Sequence, residues 1–154
     1  MAECKNIMVY VETAEGNPVK VGLEMLSPAK KLADKVTAVV IGGGVADAAK
    51  EVAKAGADQV ICVDSEDYKE FNLDAYAQVL VELVKEENPE AVFVGGTQDG
   101  KDIAPVIAAK CNTGCASDVL DIKAEDGEVI YTCPLYGGTV LEDVKIKTTP
   151  QIAT

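Results

Sequence analysis

A chain of 154 residues suits one domain, 1–154, long enough to bury a core of its own. Apolar residues make up 48% and charged residues 26%, ordinary for a soluble globular protein, while aromatics at 5% and no Trp leave the core to Val, Ala, Ile and Leu. A net charge of −12 argues against nucleic acid and anionic membrane surfaces, which need clustered Lys and Arg, and beyond that favours solubility and steering toward a basic partner.

Histidine is missing, which removes the commonest general base, the commonest zinc ligand and every Ser-His or Cys-His nucleophile pair. Five cysteines, Cys4, Cys62, Cys111, Cys115 and Cys133, form no CxxC pair. Their odd number, with no signal peptide, points to reduced thiols in a cytoplasm. Cys111 and Cys115 lie one helical turn apart, yet no second pair completes a metal site. No run of 18 apolar residues exists, so no membrane insertion is expected.

The chain opens with a strand at 6–11 (NIMVYV) and a turn-rich segment at 13–18. A helix over 18–33 follows, with Pro28 inside its apolar pattern predicting a kink or two helical pieces. The apolar run 36–41 (VTAVVI) is a second strand, followed directly by Gly42, Gly43 and Gly44. A helix at 45–55 ends at Gly56, then come a strand at 60–63 and an acidic loop at 64–70. Asn72 caps the longest helix, 73–87, whose apolar stripe is core, and Asn88 and Pro89 stop it.

The segment 91–110, AVFVGGTQDGKDIAPVIAAK, carries the most informative chemistry. It reads as a buried strand (91–94), a glycine-rich turn (95–100) and a helix to about Lys110. The helix start leaves unpaired N–H groups and partial positive charge, so the turn can hold an anion, or it is simply a tight connection. Two nucleotide motifs are nearly present and both fail. Gly95, Gly100 and Lys101 have P-loop spacing, but Asp102 stands where Ser or Thr must bind magnesium. Gly42 and Gly44 begin a dinucleotide fingerprint whose last glycine is replaced by Asp47.

Four β-α units over 1–110 predict an α/β fold, an open, doubly wound, mostly parallel sheet. After Lys110 the pattern alternates: strands at 117–123, 128–136 and 140–147, with turns at 125–127 and at Gly137 and Gly138, predict an antiparallel extension over 115–154. That extension lies against a sheet edge or reaches a partner. The chain stops at Thr154, just after Pro150, and reads as cut off rather than finished.

VYVE near the start, VVIGGG, AVFVGGTQDGKDIAPVIAAK, GCASDV and LYGGTVLEDVKIKTTPQIAT occur in this order. With these pieces the chain resembles the N-terminal domain of the alpha subunit of electron transfer flavoproteins, over essentially its whole length. The resemblance implies a nucleotide-binding-like fold of the adenine nucleotide alpha hydrolase type. It implies an alpha-beta heterodimer that accepts electrons from acyl-CoA or other flavin dehydrogenases and passes them on. It makes the chain a scaffold that packs on the beta subunit, an electron carrier subunit rather than an enzyme.

The resemblance also implies that FAD is held mainly by a C-terminal alpha domain absent from this sequence, and that AMP or a second FAD sits mainly in beta. In members that split NADH electrons between two acceptors, the alpha glycine turn faces the beta-held flavin. Carried over, Gly95, Gly96, Thr97, Gln98, Asp99 and Lys101 are the cofactor-binding candidates. Composition does not decide between the two subclasses, and the reading leans to electron bifurcation.

Ser117 and Asp118 read as cap or turn residues before any contact role, and Tyr136, Gly137 and Gly138 as a hinge or interface patch. Tyr10 and Glu12 either face a ligand at the sheet's carboxyl edge or are rim residues. The alternative function is a free-standing adenine-nucleotide-binding module. An NTPase is a third, supported by Lys101 and opposed by Asp102.

Overall fold

The computed structural model describes residues 4–154. In chain order the elements are β1 (Cys4–Tyr10), β2 (Thr13–Ala14), β3 (Asn17–Pro18), α1 (Lys20–Leu32), β4 (Ala33–Gly42), α2 (Ala46–Lys54), β5 (Gln59–Asp64), α3 (Leu73–Glu87), β6 (Ala91–Val94), α4 (Gln98–Lys110), β7 (Cys115–Ala116), β8 (Asp121–Glu125), β9 (Glu128–Leu135), β10 (Val140–Val144) and β11 (Gln151–Ala153). A six-stranded sheet of order β5-β4-β1-β6-β11-β7 pairs in parallel throughout.

Its central strands are buried on both faces, which is why they read as continuous apolar runs. Ile7, Val9, Val36, Ala38, Val40, Ala91 and Phe93 face a cluster with α1 and α2. Met8, Tyr10, Val39, Ile41, Val92 and Val94 face the opposite cluster with α3 and α4. The fold is the α/β, mostly parallel architecture expected from the β-α repeats.

Local signals behave as their chemistry requires. Asn72 Oδ1 accepts from the Ala75 N–H at 3.0 Å, capping α3, and Asn88 ends that helix in the left-handed region. Gly56 follows α2 at φ 112°. Pro28 lies inside α1, which nevertheless runs as one helix, so the predicted division into two pieces does not occur. The helix survives because Leu26, Ala29 and Leu32 around the proline are buried in the core.

The expected antiparallel extension over 115–154 needs correction at both ends. Only β8, β9 and β10 form an antiparallel sheet, of order β10-β9-β8. Cys115–Ala116 and Gln151–Ala153 instead return to the main sheet as parallel strands, β11 lying between β6 and β7. Three residues carry no readable period, but Ile152 and Ala153 are buried between the faces and hydrogen bond as a strand must. The small sheet packs on the α1 side of the main sheet, where Tyr131 meets Phe93 edge-to-face at 6.5 Å.

Candidate functional site

Strand order reverses between β1 and β6: β4 and β5 extend the sheet on one side, β11 and β7 on the other. In doubly wound folds, ligands bind in the crevice at the carboxyl ends of the strands flanking such a point. Here Glu12 follows β1, and the Gly95–Gly96–Thr97 turn follows β6. The two meet. Thr97 Oγ1 donates to Glu12 Oε1 at 2.6 Å and accepts from the Gly100 N–H at 2.9 Å, capping α4.

The six sequence candidates therefore divide. Gly95 is buried, and Thr97 and Asp99 half-buried. A Cβ at Gly95 would lie 2.8 Å from Val21 and 3.4 Å from Glu12 Oε1, so this glycine makes room for the strand-helix junction. Gly96, Gln98 and Lys101 are exposed. Gln98 Nε2 donates to Asp102 Oδ1 at 3.3 Å along the helix, and Lys101 Nζ pairs with Asp118 at 2.6 Å. Asp118, in the left-handed region at φ 56°, thus holds the lysine as well as turning the chain.

A cleft of about 510 Å³ opens beside this turn on the α3/α4 side, within the usual range for small-molecule sites. Tyr10, Glu12, Glu15, Tyr68, Glu70, Phe71, Tyr76 and Asp99 line it, with Lys69 as its single cation. Tyr76 Oη donates to the Tyr68 carbonyl at 2.6 Å, and its ring meets Tyr68 and Phe71 edge-to-face at 5.8 and 5.1 Å. Burial, first, and the Asp99 charge push the Glu12 carboxyl above its ordinary pKa, against the lowering effect of the Thr97 hydroxyl. Burial pushes the Tyr10 hydroxyl strongly upward, with Glu12, Tyr76 and Asp99 adding to it.

These residues do not fit the phosphate of AMP or the pyrophosphate of FAD. The Gly100 N–H at the α4 N-terminus is already taken by Thr97 Oγ1, the Glu12 carboxylate lies against that hydroxyl, and three further carboxylates line the cleft, so a phosphate there meets like charge. Lys101, the cation that would offset phosphate charge, is paired with Asp118. No group of three or more His, Cys, Asp or Glu among the described residues is placed to hold a metal ion.

Of the remaining sequence candidates, Tyr10 and Glu12 do reach the carboxyl-edge cleft. Tyr136 is 86% exposed, with Gly137 and Gly138 at positive φ beside it. Sequence reasoning missed Tyr68 and Glu70, inside the acidic loop at 64–70, Phe71, just beyond it, and the cleft-facing role of Tyr76, whose helix stripe reads as core. The available signal was one aromatic in the acidic loop 64–70 and a second directly after it, following a strand. The Glu12–Thr97 bond had no signal beyond both residues following strand ends.

Comparison with known proteins agrees with this architecture. The family model described as the electron transfer flavoprotein domain matches residues 7–154. The electron transfer flavoprotein subunit alpha of Clostridium acetobutylicum is 36% identical over 99% of this chain and 48% of its own length. That of Syntrophomonas wolfei is 38% identical over 95% and 46%. The LctC subunit of a lactate dehydrogenase (NAD(+),ferredoxin) from Acetobacterium woodii is 31% identical over 97% and 37%. The chain thus spans about half the length of the curated relatives it matches. With its fold, its strand reversal and a match over nearly its whole length, the chain belongs to the electron transfer flavoprotein family.

Proposed function

We propose that this chain is the interface-building part of an electron transfer flavoprotein alpha subunit, packing on a beta subunit to make a heterodimer that carries electrons from flavin dehydrogenases to a downstream acceptor. One observation carries the reading: Leu135 at the end of β9, Tyr136 in the turn that follows, and Val140 and Leu141 on the edge strand β10 are all exposed. An unpaired edge strand carrying apolar side chains is a surface that another chain covers. The acidic lining of the crevice disfavours phosphate, which supports a flavin held by the beta subunit and by the C-terminal part of the alpha subunit. Gly96, Gln98 and Lys101 are the parts of the glycine turn left at the surface to approach a partner-held flavin.

The relative whose name couples NAD(+) and ferredoxin supports the electron-bifurcating subclass. A cytoplasmic location is consistent with the described cysteines, none of which is joined in a disulfide.

The test is to mix the chain with a beta subunit from the same source and measure complex formation and flavin content. A stoichiometric complex, gaining flavin only with both chains present and lost in Leu141→Asp, supports the reading. If no complex forms and the lone chain binds AMP, the interface reading fails and a free-standing nucleotide module replaces it.

A further inference from the structure

The carboxyl-edge cleft has chemistry that the interface reading leaves unused. Among the described residues, Glu15, Glu70 and Asp99 make no ion pair, and Glu12 engages only Oε1. Tyr10 is an independent observation. Only 2% of it is exposed, it lines the cleft, and its hydroxyl has no hydrogen-bond partner among the described residues. The hydroxyl is not sealed in the core, because no fully buried side-chain oxygen or nitrogen lacks a partner. Its remaining surface is directed into the cleft, where a ligand would satisfy it.

From these groups we infer that the cleft binds an alkyl guanidinium or ammonium group, as a free organic cation or as a basic side chain of a partner. The alternatives conflict with the lining. An anion meets four carboxylates and one lysine. A single metal ion finds no three ligands close enough together among the described residues. A cation on an extended apolar stem can reach separated carboxylates while its stem and charge contact the Tyr68, Phe71 and Tyr76 rings. Its N–H groups donate to Glu12 Oε2, to Asp99 and to the Tyr10 hydroxyl oxygen. Every basic residue of this chain is a lysine, so a guanidinium must come from outside it. This inference does not depend on the interface reading.

The experiment is an amide NMR titration of the 154-residue chain with three probes: agmatine, a short neutral peptide carrying one internal arginine, and AMP. Agmatine is expected to shift the Glu12, Gly42 and Asp99 amides saturably, with binding weakened by added salt. Tyr10→Phe, which keeps the buried ring, should weaken binding several-fold, and Asp99→Asn about tenfold, the scale of a charge-assisted hydrogen bond. Unchanged amide spectra away from the cleft verify that both variants fold. If the peptide binds at least tenfold tighter than agmatine, the source is a partner side chain; equal affinity identifies a free organic cation. Non-saturable shifts with both cationic probes, affinity indifferent to salt and to both variants, or saturable AMP binding in the cleft would each overturn the inference. The beta-subunit mixing experiment reads a different surface, so the two proposals fail separately.

Discussion

Gly100→Ala probes the junction on which the candidate site rests. An ideal Cβ at Gly100 lies 1.9 Å from the Gly95 carbonyl oxygen and 3.0 Å from Glu12 Oε1. Real Cβ contacts stay at or above 3.0 Å, so the turn or the start of α4 must move by the difference, 1.1 Å. Gly95 is itself wedged against Val21, so the movement disturbs the α1 side as well. The displaced Gly100 N–H leaves the Thr97 cap, which costs about 1 kcal/mol. Overpacking adds about 1–3 kcal/mol, for a total of about 2–4 kcal/mol.

At about 2–4 °C per kcal/mol for a chain of this size, melting falls by about 4–16 °C. The internal control is Gly96→Ala, one residue beyond Gly95. Its Cβ meets nothing within 4 Å, so stability stays within about 0.5 kcal/mol of the parent. Thermal and urea unfolding followed by circular dichroism measure both. The packing argument is refuted if Gly100→Ala melts with the parent protein, or if Gly96→Ala falls as far.

Glu12→Gln should show a pH signature. Burial raises the folded-state pKa of Glu12, so ionising it above the ordinary carboxylate range favours the unfolded chain. The amide keeps an acceptor for Thr97 without the buried charge, so the variant should be more stable than the parent at pH 7. The gap should close as pH falls below the unfolded glutamate pKa, about 4.3; a gap that is constant from pH 7 to pH 4 would show that the charge is not responsible. Asn72→Ala should cost about 1 kcal/mol through loss of the α3 cap, about 2–4 °C in melting temperature. An unchanged melting temperature would mean that water satisfies the Ala75 N–H equally well.

The sequence by itself determined the layers. Doubly buried strands such as Ala91–Val94 must be apolar at every position, and Leu73–Glu87 must place apolar residues at helical spacing, so both are visible without a structure. The stop and cap signals at Asn72, Asn88 and Gly56 are equally local, because each satisfies or ends a few neighbouring backbone groups.

Tertiary structure alone decided where β7 and β11 pair, since two- and three-residue strands carry no period and gain their partners from residues far along the chain. It also decided the chemistry of the glycine turn. The sequence offered a helix N-terminus and a lysine, the ingredients of an anion site. Folding brings Glu12, 85 residues earlier, onto Thr97, and Asp118 onto Lys101. Local sequence specifies which groups a turn presents; only the fold specifies which opposite charges reach them first.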